Sequence, residues 1–250
     1  MSRLQKKHPL AIRWFHWINF PVLMIMIWSG LLIYWANDVY RIGLGETTLL
    51  NFFPAWFYER FHVSQRLSEG MAWHFAFMWL FAVNGLLYVL YLAFSGEWRL
   101  LLPRGGTLKN AWLTILHDLH LRKYAPPQEK YNGAQRIAYS GIIVMGLGSL
   151  LTGLAIYKPT QFAWMSTPFN GLAAGSTGYN LARFLHFWLT IGFCAFFGVH
   201  ILQVARAGWN NFRGMITGFE LVPDESTASH GNIPPPSSTP TSAKQADEIA

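Results

Sequence analysis

Four long apolar runs, separated by short polar and basic segments, set the pattern of this chain. Residues 14–36, 71–96, 137–157 and 184–205 contain no Asp, Glu, Lys or Arg. Each is near or above the roughly 20 residues that an α-helix needs to cross a bilayer. The runs are apolar on every side rather than on one stripe, as expected of helices surrounded by lipid. Trp and Tyr gather at their ends: Trp14, Trp17, Tyr34 and Trp35 in the first, Trp73 and Trp98 around the second, Tyr157 in the third, Trp209 after the fourth. Such residues anchor helices at the two membrane–water boundaries. The pattern predicts an all-α fold, an integral membrane four-helix bundle. Pro21, inside the first run, predicts a local kink.

Composition agrees with this pattern. Of the 250 residues, 52% are hydrophobic and 12% charged, against about 25% charged for an ordinary soluble domain. The net charge of +7 does not point to nucleic acid, because the basic residues sit in short segments beside the spans, where they act as topological signals. Arg3, Lys6, Lys7 and Arg13 precede the first span. Arg99, Arg104, Lys109, Arg122, Lys123, Lys130 and Arg136 lie between the second and third, and Arg206 and Arg213 follow the fourth. The opposite side has only Arg41, Arg60, Arg66, Lys158 and Arg183. A multi-pass protein of the bacterial inner membrane with both termini cytoplasmic is expected. The single cysteine, Cys194, can form no intrachain disulfide and builds no zinc or iron–sulfur site alone. The first run is too long for a signal-peptide core and lacks a cleavage pattern, so it reads as a retained span.

The domain plan is therefore a cytoplasmic N-terminus at 1–13, a four-span unit at 14–215 and a disordered cytoplasmic tail at 216–250. The tail's Pro234-Pro235-Pro236-Ser237-Ser238-Thr239-Pro240 cannot bury a core. The first outer loop, 37–70, carries unusual aromatic surface, Phe52-Phe53-Pro54-Ala55-Trp56-Phe57-Tyr58. It should lie on the membrane or dock another subunit. A weak internal repeat is present. Ser29-Gly30-Leu31-Leu32-Ile33-Tyr34 ends the first span and Thr152-Gly153-Leu154-Ala155-Ile156-Tyr157 ends the third. Aligning them puts Tyr139 opposite His16, and aligning His74 with His186 puts Tyr88 opposite His200.

Four of the nine histidines lie in spans: His16, His74, His186 and His200. An ionisable residue at membrane depth is a functional candidate by default. His186 and His200 are 14 residues apart on the fourth span; on a helix both face one side, separated by about 21 Å. Depth then pairs His200 with His16 near the cytoplasmic surface and His186 with His74 near the outer surface. Two imidazoles are too few for a zinc ion, and no carboxylate or cysteine lies at those depths. They do fill both axial positions of a haem, whose porphyrin supplies the other four ligands, which favours electron transfer over oxygen chemistry. Gly30, Gly85, Gly192 and Gly198 would leave room for a flat macrocycle, and Arg13, Arg206, Arg66 and Arg183 are candidate propionate partners. His117 and His120 form an i, i+3 pair in the cytoplasmic loop; His8, His62 and His230 have no constellation around them.

Three pieces carry a family resemblance: Arg13-Trp14-Phe15-His16-Trp17, Lys130-Tyr131-Asn132-Gly133-Ala134-Gln135-Arg136, and the two histidines of span four. Over about residues 8 to 215 the chain resembles the bacterial cytochrome b561/nickel–iron hydrogenase b-subunit family. Within it, the chain looks like the cytochrome b (gamma) subunits of formate dehydrogenase and thiosulfate reductase. The resemblance implies two b haems, on His16 with His200 and on His74 with His186. It also implies a quinone pocket near the cytoplasmic haem, with Asn132 as a candidate contact, and a periplasmic oxidoreductase partner of molybdenum or iron–sulfur type. The function expected is a di-haem membrane subunit passing electrons between quinone and that partner. A stand-alone di-haem carrier and a colourless transporter with a histidine proton relay are the alternatives.

Overall fold

The computed structural model describes residues 2–36, 41–44, 47–124, 126, 131–171 and 177–223. Strand β1 (Ser2–Lys6) leads into helix α1 (Leu10–Ala36), which is assigned helix through Pro21. Strands β2 (Arg41–Leu44) and β3 (Thr47–Asn51), a short helix α2 (Ala55–Phe61) and a single 3₁₀ turn at Val63–Gln65 then precede α3 (Leu67–Ser95). Helices α4 (Trp98–Leu101) and α5 (Thr107–Asp118) follow, then α6 (Gly133–Tyr157), α7 (Ala163–Ser166), α8 (Gly178–Thr217) and strand β4 (Phe219–Pro223). Helices α1, α3, α6 and α8 are long and apolar enough to cross a membrane. Their outward faces stay apolar and open, with Phe94 88% and Val144 68% exposed, as lipid contact requires.

The bundle is two helix pairs: α1 packs chiefly on α3, and α6 on α8. Small residues permit the close approach. A Cβ on Gly70 of α3 would lie 2.8 Å from the Leu32 Cβ of α1, and one on Gly192 of α8 would lie 2.9 Å from Met145 Cε of α6. Such small-residue contacts let membrane helices gain van der Waals contact where no hydrophobic drive exists between them.

Both ends are closed by short elements. At the proximal end β1 pairs antiparallel with β4, from Ser2 opposite Pro223 to Lys6 opposite Phe219. Helix α8 is interrupted at Gly208, whose φ of 79° and ψ of 175° turn the segment after it; a side chain would be strained there. That segment lies against the start of α1: Trp17 Nε1 donates to Met215 O at 3.1 Å, and Lys7 forms an ion pair with Glu220. An unstructured tail beginning at residue 216 is corrected by this arrangement. Residues 216–217 finish α8 and 219–223 form β4; the remainder, 224–250 with His230, lies outside the described residues, as does Lys130.

At the distal end the aromatic segment folds inward. Phe53 packs on Trp35 with ring centres 5.1 Å apart, Phe57 on Trp35 at 5.0 Å, and Phe52 on Phe187 at 5.4 Å. Leu32, Tyr34, Trp35, Val63 and Phe187 form the buried cluster beneath. Much of the aromatic surface expected to meet lipid or another subunit is therefore used within the chain, because the helix ends offer an apolar surface closer than either. Trp56 and Phe61 remain exposed.

Candidate functional site

The four span histidines meet as two pairs. His74 lies about two turns into α3 and His186 about two turns into α8. Their ring centres are 6.1 Å apart near the distal end. Each Nδ1 meets a hydroxyl of the neighbouring helix: Ser29 Oγ at 3.0 Å from His74 Nδ1, and Thr152 Oγ1 at 2.9 Å from His186 Nδ1. Ser29 Oγ also lies 3.2 Å from Met26 O, and Thr152 Oγ1 2.7 Å from Gly148 O. A hydroxyl that donates to its own helix carbonyl accepts from the histidine. With Nδ1 protonated, a neutral imidazole carries its lone pair on Nε2, the form that ligates a metal.

The match between the two halves extends to detail. Ser29 and Thr152 are the first residues of the internal repeat, each followed by a glycine beside a histidine. A Cβ on Gly30 would meet His74 Cε1 at 3.4 Å, and one on Gly153 would meet His186 Cε1 at 3.2 Å.

The proximal pair is held differently. His16 and His200 have ring centres 5.9 Å apart. His200 stacks on Phe196 at 5.8 Å with the rings 6° from parallel, and Trp17 sits edge-on to His16 at 5.2 Å. The buried Nδ1 of His16 has no hydrogen-bond partner among the described residues. Beside this pair, Asn84 of α3 donates to Phe15 O of α1 at 3.4 Å.

These residues fit haem. Imidazoles on opposite sides of one iron, with metal–nitrogen distances of about 2 Å, have ring centres roughly 6 Å apart, and both pairs match. The Nε2 lone pairs of the distal histidines are the donors such a group takes. Among the described residues no cluster of three or more His, Cys, Asp or Glu side chains could hold a bare metal ion.

Other candidates sort less evenly. Asn132 caps α6: its Oδ1 accepts from Gln135 N at 2.8 Å, and Gln135 Oε1 accepts from Asn132 N at 3.1 Å. That reciprocal cap accounts for the pair without a ligand. The Arg13 guanidinium donates to Ile216 O in the last turn of α8, where a cation is favoured. Arg183 lies over the Tyr179 ring at 6.0 Å. Of the four glycines, Gly30 and Gly192 are close-packed on His74 and Met145, whereas Gly85 and Gly198 face open space. Tyr139 packs on Tyr131 with ring centres 5.2 Å apart. Burial pushes the Tyr131 phenol up to about 12. Ser29, Thr152 and Phe196 carry roles that the sequence did not reveal, although the repeat had marked the first two.

Comparison with known proteins agrees with this geometry. Residues 7–218 match the family described as prokaryotic cytochrome b561. A protein of Azospira oryzae, named "Putative protein-methionine-sulfoxide reductase subunit YedZ1", is 31% identical over 199 residues, covering 79% of this chain and 89% of that one. No solved structure matches. The chain belongs to the prokaryotic cytochrome b561 family, membrane cytochromes that bind b-type haem and carry electrons.

Proposed function

With that membership as premise, we propose that this chain is a di-haem membrane subunit that passes electrons between the quinone pool and a partner oxidoreductase. His16 and His200 would hold the proximal haem, and His74 and His186 the distal haem. The observation that carries this reading is the pair of His–His contacts at 5.9 and 6.1 Å, one ligand of each on α8. Bound at these pairs, haem supplies reversible one-electron chemistry with no open coordination position. The protein's part is to hold the ligands. Ser29 and Thr152 keep His74 and His186 in one tautomer and one ring orientation. The aromatic cover of Phe52, Phe53 and Phe57 excludes water above them.

The proximal end faces the cytoplasm in this proposal, because the basic segments flank it. The chain spans the bacterial inner membrane with residues 1–13 and the segment after α8 on the cytoplasmic side. Quinone reacts beside His16 and His200, and the partner docks at the distal, periplasmic end, where Trp56 and Phe61 stay exposed. The name of the Azospira relative supports a protein-methionine-sulfoxide reductase as that partner, with electrons flowing outward from quinol. Membrane vesicles containing the protein test this. A reduced quinol should produce the b-type absorption band, and adding the oxidised partner should remove it. A colourless protein would revive the histidine-relay transporter, and a band that no quinol can raise would rule out the quinone link.

A further inference from the structure

A second built feature lies at the proximal end, apart from the four histidines. Helix α5, the loop after it and α8 border an open cleft of about 570 Å³, lined by His117, Asp118, His120, Arg122, Lys123 and Arg206 together with Leu121. Three permanent cations and two imidazoles surround it, against one carboxylate. That carboxylate is engaged by the protein. Asp118 Oδ2 accepts from Gln203 Nε2 at 3.3 Å, and its Oδ1 lies 3.6 Å from His117 Nδ1.

The chain bends to assemble these charges. His120 adopts a left-handed φ of 60°, costing a non-glycine residue about 1 kcal/mol. Its turn closes the helix: Leu121 N bonds Leu116 O at 2.9 Å, Arg122 N the same carbonyl at 3.2 Å, and His120 N bonds His117 O at 2.9 Å. Arg206 Nη2 takes the Asp118 carbonyl at 2.6 Å. The carbonyls at the end of α5 are thus satisfied, so the negative end of the helix is muted where the arginines converge. Among the described residues Arg122 Nη1 is buried with no hydrogen-bond partner. A buried guanidinium nitrogen left unsatisfied is costly and fits an anion with several acceptor oxygens.

The surroundings are those of a membrane edge. Arg206 is the first charge after the apolar run of α8, and Leu202, one turn before it, is exposed, as are Leu119 and Leu121. Beside the cleft, α5 presents a bare apolar face, with Leu108 78% and Trp112 61% exposed, while Thr107, Ala111 and Thr114 are buried on its other side. A helix with such an exposed apolar face is suited to lie along the bilayer surface, which would bring lipid head groups within reach of Arg122, Lys123 and Arg206.

We propose that this cleft binds a phosphate group, supplied by an anionic phospholipid whose acyl chains lie along Leu202 and Leu121. The full haem-loaded protein, delipidated in detergent, can be titrated with phosphatidylglycerol, phosphatidylcholine and inorganic phosphate while bound adducts are counted by native mass spectrometry. One phosphatidylglycerol should bind in preference to phosphatidylcholine. The Arg122→Gln/Lys123→Gln variant should bind it roughly tenfold or more weakly, with an unchanged haem spectrum showing that the bundle is intact. Tight inorganic phosphate binding that the variant loses, without a preference for phosphatidylglycerol, would support the phosphate site but overturn the lipid as its source. Equal binding of every probe by wild type and variant would overturn the proposal. If the variant loses its haem spectrum, Lys123→Gln alone, on the exposed side of the cleft, should still weaken phosphatidylglycerol binding; an unchanged affinity there also overturns it.

Discussion

His74 and His186 are each tied through Nδ1 to a hydroxyl one helix away, at 3.0 and 2.9 Å, whereas His16 keeps a buried Nδ1 with no partner among the described residues and His200 leans on the face of Phe196. The two pairs come from one repeated helix hairpin, so the difference follows from where each pair falls in the repeat. His74 and His186 are equivalent positions, and both receive the same support from the preceding helix. His16 and His200 are not equivalent to each other. Their counterparts are Tyr139 of α6 and Tyr88 of α3. The distal pair is thus symmetric and doubly braced, and the proximal pair occupies one of two related places, the other being taken by tyrosines. A braced site suits a fixed relay, and a less constrained one suits exchange with a diffusing partner.

The largest effects should come from the ligands on the shared helix. His186→Ala should remove the distal haem alone and His200→Ala the proximal haem alone, and the double variant should bind none; haem per protein, by pyridine haemochrome, reads this. Removing the braces comes next. Ser29→Ala with Thr152→Val should weaken retention of the distal haem by about 10- to 100-fold while the proximal haem stays. Equal loss of both would mean that the hydroxyls support the bundle rather than the ligands. A smaller effect is expected from crowding. Gly153→Ala puts a methyl 3.2 Å from His186 Cε1 and Gly30→Ala puts one 3.4 Å from His74 Cε1, so the first should shift the distal haem's midpoint potential more than the second, and neither should move the proximal one. The smallest is Asn132→Ala. It should lower stability by about 1 kcal/mol through loss of the α6 cap and leave the rate of haem reduction by quinol unchanged; a selective fall in that rate would restore Asn132 as a quinone contact.

The spans and the histidine pairing were legible because both are local or periodic. A charge-free run of membrane length admits few structures, and helical geometry with alternating direction fixes which histidines share a depth. The braces were half legible. The repeat singled out Ser29-Gly30 and Thr152-Gly153, but nothing local shows that a hydroxyl on one helix meets a histidine on the next. The aromatic segment before α3 was half legible: Trp56 and Phe61 stay exposed, but exposed-looking aromatics do not name the partner that Phe52, Phe53 and Phe57 find. Trp35 and Phe187 become that partner only once the helix ends are brought together. The β1–β4 pairing joins residues more than 200 positions apart, and so short an apolar stretch as Phe219–Pro223 looked like the start of the polar tail.

The account's central claim is that α8 supplies one ligand to each of two haems at different depths. The most direct measurement is the haem-to-protein ratio of the purified wild type, taken with low-temperature electron paramagnetic resonance of the oxidised form. The prediction is two b haems per chain, both low-spin with bis-histidine signatures, of which His74→Ala removes one and leaves the other unshifted. A ratio of one, or a His74→Ala protein that keeps both signals, would contradict it.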